Sequence, residues 1–302
     1  MKKSVLITGA AGFVGRYVAK EFANQGYDVV GMGWGKFPEY ADWGLAAWYE
    51  ADVSFEMLCE YAGRPDVIVH CAGGASVGAS VAHPRQDFCL TVDASSHLLE
   101  FLRVHSPKTK LIYPSSAAVY GRAKEVPVPE TAPFNPVSPY GVHKMMAEQL
   151  CQQYAHQYGM SIAIVRLFSV YGEELRKQLL WDACIKFSHG ENVFFGTGDE
   201  IRDWLHVRDA ARVLNMAVVH ASSNCTTVNA GTGHGLNVKQ VLNYLRDLMG
   251  LEKEIVFSEE KKEGDPDVLL GNVDIIRQWG FNAQINWKDG MAQYVQWYRQ
   301  CR

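Results

Sequence analysis

The chain is poor in the features that mark most non-enzymatic classes. It has seven cysteines in 302 residues, and no two stand as C-x-x-C. The odd count and the spacing argue against a disulfide framework or a zinc site, and a reducing compartment fits better. It has no apolar run of roughly 18 residues, so no transmembrane helix is expected. Basic residues are not in excess: 29 Lys and Arg stand against 33 Asp and Glu, a net charge of −4. Nucleic-acid binding is therefore not expected as the main function. There is no internal repeat and no low-complexity stretch.

What remains is an ordinary globular balance, 48% hydrophobic and 21% charged, long enough for one large α/β unit or a two-lobed enzyme. The opening Met1-Lys2-Lys3 and the apolar residues after it imitate a signal peptide. Gly9, Gly12 and Gly15 interrupt that run and Arg16 ends it. It reads instead as a first strand, and the protein as soluble and cytoplasmic.

Strand-like runs alternate with helical patterns. Strands are expected at Ser4–Thr8, Asp28–Met32, Ala47–Ala51, Val67–Cys71, Lys110–Tyr113 and Ser161–Arg166. Helices are expected at Gly15–Gln25, Phe88–His105 and Pro139–Tyr158. This alternation predicts a doubly wound parallel sheet covered on both faces. Beyond Arg166 the pattern loosens. Helices are expected at Leu179–His189, at Asp209–His220 with Asp209 as N-cap, at Val238–Met249 and at Val273–Trp279. The expected plan is a dinucleotide lobe over 1–167, to which 201–233 returns. A smaller interleaved α/β substrate lobe covers 168–200 and 234–302.

Thr8-Gly9-Ala10-Ala11-Gly12-Phe13-Val14-Gly15 follows the first strand and opens the first helix. Backbone N–H groups are unpaired at a helix start and the dipole there is positive, so a pyrophosphate fits if no side chain blocks it. Gly9, Gly12, Phe13, Val14 and Gly15 are the expected cradle. NAD sites often carry an acid at the end of the second strand, for the adenosine ribose. Gly33 stands there, with Lys36 three residues on. A missing acid and a nearby lysine tilt the expectation from NAD toward NADP. Asp52 and Val53, after the third strand, are candidates for the adenine.

Tyr140 and Lys144 are i and i+4 on one helix face. A free phenol has a pKa of about 10. An ammonium nearby is expected to lower it, letting the phenol exchange protons with a carbinol or ketone. Ser115 and Ser116 close a strand whose carboxyl end should border the ligand crevice.

Together these segments resemble a known family. T-G-x-x-G-x-x-G, Pro114-Ser115-Ser116-Ala117-Ala118-Val119-Tyr120-Gly121 and Ser138-Pro139-Tyr140-Gly141-Val142-His143-Lys144 are similar to the extended short-chain dehydrogenase/reductases, sugar-nucleotide branch. So are Arg166–Gly172 and Ile201–Asp209, beside the family's R-x-F-N-V-Y-G and R-D-(F/W/Y)-x-x-V-x-D. The resemblance implies a Rossmann-type fold and a catalytic trio of Ser116, Tyr140 and Lys144. It puts Phe168 at the cofactor. Ser169, Gln178, Phe195, Arg202, Lys262 and Asp265 would meet a nucleotide sugar. It also implies a homodimer joined through a four-helix bundle of Phe88–His105 and Pro139–Tyr158.

The departures narrow the reaction. The family's 4,6-dehydratases read T-D-E-V-Y-G where this chain has Ser116-Ala117-Ala118-Val119-Tyr120-Gly121, so the acid pair that eliminates water is gone. Thr91 and Ser169 replace asparagines, which suggests an altered sugar pocket. Three readings stay open: a 4-ketoreductase, favoured by Gly33; a UDP-sugar 4-epimerase with tightly bound NAD; and a dinucleotide-binding sensor without catalysis.

Overall fold

The computed structural model describes residues 2–260 and 266–301. The chain runs β1 (Ser4–Thr8), α1 (Phe13–Asn24), β2 (Asp28–Gly33), β3 (Ala47–Glu50), α2 (Phe55–Tyr61), β4 (Val67–His70), α3 (Val77–Ala82), α4 (Pro84–Phe88), α5 (Ala94–His105), β5 (Lys110–Ser116), α6 (Pro139–Tyr158) and β6 (Ile162–Leu167). It continues through β7 (Ser169–Tyr171), α7 (Gln178–Ser188), β8 (Val193–Phe194), β9 (Ile201–His206), α8 (Val207–His220), β10 (Thr226–Ala230), β11 (Gly235–Asn237), α9 (Val238–Met249), β12 (Val256–Phe257), β13 (Val268–Leu269), α10 (Asp274–Gln278) and α11 (Trp287–Gln300).

Seven strands form a parallel sheet in the order β10-β6-β5-β4-β1-β2-β3. Side chains alternate across it, as a two-residue period requires. Val5 and Ile7 of β1 face a core with Val18, Phe22 and Leu214. Leu6 faces the opposite core with Leu98, Leu102 and Ala147. Helices α1 and α8 thus cover one face, and α5 and α6 the other. The strand order reverses between β1 and β4, and crevices for ligands open at such switch points. This is the doubly wound parallel sheet that the alternation predicts, and the Rossmann-type fold that the resemblance implies.

The rest of the chain builds a smaller layer. β11, β9 and β13 pair, β7 joins β9, and α7, α9 and α11 pack around Tyr171, Trp204, Met291 and Tyr294. Segment 201–233 divides: β9 lies in this small sheet, whereas α8 and β10 cover and complete the large one.

Local chemistry explains the sharpest boundaries. Ser138 Oγ accepts from the Gly141 amide, Pro139 takes the first turn, and Gly159 closes α6 in the left-handed conformation at φ 67°. Three expectations need correction. Asp209 is not the N-cap of α8; His206 is, and buried Asp209 instead accepts from the Gln284 and Ile285 amides. The helix expected at Phe88–His105 begins at Pro84 and includes a π-turn over Cys89–Asp93. The strand expected to end at Tyr113 runs on to Ser116, carrying both serines to the sheet edge.

Candidate active site

One cavity of about 1550 Å³ crosses the carboxyl edge of the large sheet and continues to the small one. Sites for a single small molecule are typically about 300–1,000 Å³, so this one has room for two ligands side by side. Gly9, Gly12, Phe13, Val14, Gly15, Asp52 and Val53 line one end. Ser116, Tyr140, Lys144 and Phe168 line the middle, and Ser169, Gln178, Phe195 and Arg202 the other end.

The glycines are there for contact. A Cβ on Gly9, which has φ 67°, would sit 2.6 Å from the Ala72 amide nitrogen; one on Gly15 would collide with the Gly9 carbonyl. Strand, loop and helix therefore close tightly, and α1 starts at Gly12 with no side-chain cap. Its first amides face the cavity with no side chain competing for them. These residues fit a dinucleotide pyrophosphate.

At the centre, α6 presents Tyr140 and Lys144 toward the end of β5. Lys144 is 6% exposed, and its Nζ donates to the Pro114 carbonyl at 3.1 Å. Its ammonium lies over the Tyr113 ring, 5.2 Å from the centroid. Burial lowers the Lys144 pKa, opposed by Cys71, Asp87 and Glu148. Burial also raises the Tyr140 phenol; a hydrogen bond with Ser116 pulls it back and Asp87 pushes it further up. The sequence argument expected Lys144 to depress the phenol. In this structure desolvation outweighs any such effect, and the group that lowers the phenol is Ser116.

Surrounding groups fix this geometry. Ser80 Oγ accepts from the Tyr140 amide at 3.0 Å. His143, on the same helix, meets buried Asp87 of α4 at 2.6 Å. Glu148, one turn beyond Lys144, accepts from Ser115 Oγ at 2.5 Å and from Arg166 Nη2 at 2.7 Å. Arg166 Nη1 in turn donates to Tyr120 and to the Glu130 carbonyl. A buried ion pair thus ties β5, α6 and β6 together behind the trio.

Other expectations are placed differently. Lys36 is exposed and does not line the cavity, so nothing here supports the preference for NADP. Asp52 lines the cavity but also accepts from the Ser54 amide at 3.1 Å, a turn contact. Arg202 lines the cavity and donates to the Ile201 carbonyl at 2.9 Å. Its neighbour Asp203 points away, fully buried, and accepts from the Thr232 and Gly233 amides. Gln178 holds a φ of 66°, strained for a residue with a side chain. Lys262 and Asp265 lie outside the described residues.

Sequence reasoning missed the loop Gly73-Gly74-Ala75-Ser76 after β4, which lines the cavity. Gly74 donates to Thr91 Oγ1 at 3.0 Å, and a Cβ there would collide with Asp87. A glycine pair directly after a central parallel strand was the available signal. It also missed Trp34 and Trp204 on the cavity wall.

Comparison with known proteins gives the kinship. Residues 5–231 match the model of the NAD dependent epimerase/dehydratase family. A UDP-glucose 4-epimerase of Azospirillum brasilense is 28% identical, with 94% of this chain and 86% of the relative covered. A UDP-glucose 4-epimerase of Thermotoga maritima, solved with UDP-glucose, superposes with a TM-score of 0.89 at 27% identity over 99% of both chains. One from Brucella ovis, solved with NAD, gives 0.85 at 28% identity over 97% of both. The chain belongs to the NAD-dependent epimerase/dehydratase family and is an enzyme of that type.

Proposed function

We propose that this enzyme is an NAD-dependent 4-epimerase of a UDP-sugar. The observation that carries the reading is the convergence of Ser116, Tyr140 and Lys144 in one cavity, between an uncapped helix start and Arg202. The ketoreductase preference drawn from sequence rested on Gly33 and Lys36. Lys36 is off the cavity, and both the curated relative and the superposed structures are epimerases. The weight therefore moves to the epimerase and to NAD.

In this reading the amides of Phe13 and Val14 hold the pyrophosphate, Asp52 and Val53 flank the adenine, Phe168 borders the cofactor, and Lys144 holds the nicotinamide ribose. Bound NAD supplies a hydride acceptor and donor, and a positive charge that favours the phenolate. Ser116 holds the sugar C4 oxygen. Tyr140 takes the proton from that oxygen and later returns it. Arg202 grips the sugar-nucleotide diphosphate, with Ser169, Gln178 and Phe195 beside it. The wide cavity leaves the sugar room to present its second face before the product forms. The dinucleotide belongs to the lobe of residues 1–167, the nucleotide sugar to that of 168–200 and 234–302. We further propose a homodimer through α5 and α6, measured by sedimentation.

The test is product analysis. Purified protein is given UDP-glucose, UDP-N-acetylglucosamine and UDP-glucuronate separately, and the C4 configuration is read by NMR. Inversion with no net change in added NADH or NADPH is expected, and Tyr140→Phe should lose at least about 100-fold in rate. Stoichiometric NADPH consumption on a keto-sugar nucleotide, with no inversion, would overturn the assignment.

A further inference from the structure

The adenosine end of the cavity lacks its usual grip. Gly33 ends β2 where a ribose-binding acid is often found, and the fold leaves no room for one. A Cβ there would lie 2.9 Å from Trp48 Cη2 and 3.5 Å from the Gly9 Cα. Asp52, an acid on that wall, accepts from the Ser54 amide. A large apolar surface stands in the same place. Trp34 lines the cavity with Gly9, Gly33, Asp52 and Val53, yet it is 73% exposed.

A single exposed tryptophan is unremarkable on a surface. This one sits on a turn that is held firmly. Trp48 Nε1 donates to the Gly35 carbonyl at 3.2 Å, directly after Trp34. Phe37 is 3% exposed, meets Trp48 edge-on at 5.4 Å, and lies beneath the Arg16 guanidinium. Gly35 takes a φ of 75°, which the turn requires. The neighbours of Trp34 are thus anchored inward, and its own ring is left out on the cavity wall.

We propose that Trp34 is a stacking platform for the adenine of the dinucleotide, standing in for the absent ribose-binding acid. The inference rests on the dinucleotide reading of this cavity. Stacking uses the π-face of the base, so it needs neither the ribose hydroxyls nor a carboxylate. Occupation would cover a side chain that otherwise costs apolar exposure.

The test is NADH titration of the full chain, stripped of co-purified nucleotide and followed by nicotinamide fluorescence. The variants are Trp34→Ala, Trp34→Phe and Trp34→Leu. Truncating an aromatic that stacks on a base should weaken binding by roughly 5- to 100-fold. Phenylalanine should restore most of the affinity and leucine should not, while melting temperatures stay within about a degree of wild type because the ring is outside the core. NADH affinity of Trp34→Ala within twofold of wild type would refute the platform, as would leucine rescuing as well as phenylalanine. A wild-type chain that binds no NADH would overturn the dinucleotide reading, and this inference with it.

Discussion

Replacing Arg166 by methionine removes a partner from a carboxylate that has no access to water. Glu148 is 0% exposed, and three of its contacts come from Arg166: Nε to both oxygens at 3.1 Å and Nη2 at 2.7 Å. After the substitution only Ser115 Oγ remains among these partners, and the Tyr120 hydroxyl and Glu130 carbonyl each lose a donor. Leaving one half of a buried pair uncompensated costs about 3–5 kcal/mol, a large part of a domain's total of about 5–15. Urea unfolding at pH 7 should show that loss. Glu148→Met added to Arg166→Met should recover most of the loss, since an apolar pair fills the space without a stranded charge. A single variant within about 1 kcal/mol of wild type, or a double variant no more stable than the single, would refute this account of the pair.

Two further outcomes follow from burial and contact. His70 is buried between Thr8 Oγ1 at 2.8 Å and Ser95 Oγ at 3.4 Å, and burial pushes its pKa from 6.5 down to about 3, with Lys144 adding to the shift. The unfolded chain therefore takes the proton first: stability is full above pH 6.5 and falls with pH, by roughly 2 kcal/mol at pH 5. Unfolding of His70→Gln should lose that slope between pH 7 and 5, and identical slopes would contradict it. Gly15→Ala sets two effects against each other. Helix propensity favours alanine by about 0.8–1.0 kcal/mol, whereas the new Cβ collides with the Gly9 carbonyl. A net loss of about 1–3 kcal/mol and weaker NADH binding are expected, and a raised melting temperature would show that the loop gives way.

What could be read from sequence was local. The limits of α6 are written in Ser138, Pro139 and Gly159, and those of α9 in the Asn237–Gln240 capping box and Gly250. The glycine loop was legible because strand, loop and helix adjoin in the chain. Two- and three-residue strands such as β7, β8 and β13 have no period of their own and exist only through distant pairing, as Val268 with Ile201. Helix α11 was hidden for a related reason: Gly290 weakens its pattern, yet a Cβ there would collide with the Tyr171 hydroxyl. Lys36 looked adjacent to the cofactor because it is near in sequence. The turn at Gly35 puts Trp34 on the cavity wall and Lys36 outside it. Asp203 looked like part of a ligand motif, and its carboxylate instead holds a turn 29 and 30 residues away.

The two shifts at the centre of the site bear on how it would work. Burial raises Tyr140 and lowers Lys144, so each is pushed toward its neutral form. The spacing of four residues on one helix promised mutual stabilisation of phenolate and ammonium. In the cavity, desolvation of each charge is the larger effect, and Lys144 spends its hydrogen bond on the Pro114 carbonyl. A neutral phenol held by Ser116 can donate a proton, but it is a poor acceptor near neutral pH. A positive charge brought into the cavity would favour the phenolate and oppose the effect of burial. With a cationic ring beside it, the proposed acid–base residue would be a better acceptor of a carbinol proton. That coupling suits an epimerase, whose ketone must stay in the cavity until a hydride returns to carbon and Tyr140 returns the proton to oxygen. A reductase needs only the donor form, which this site already holds.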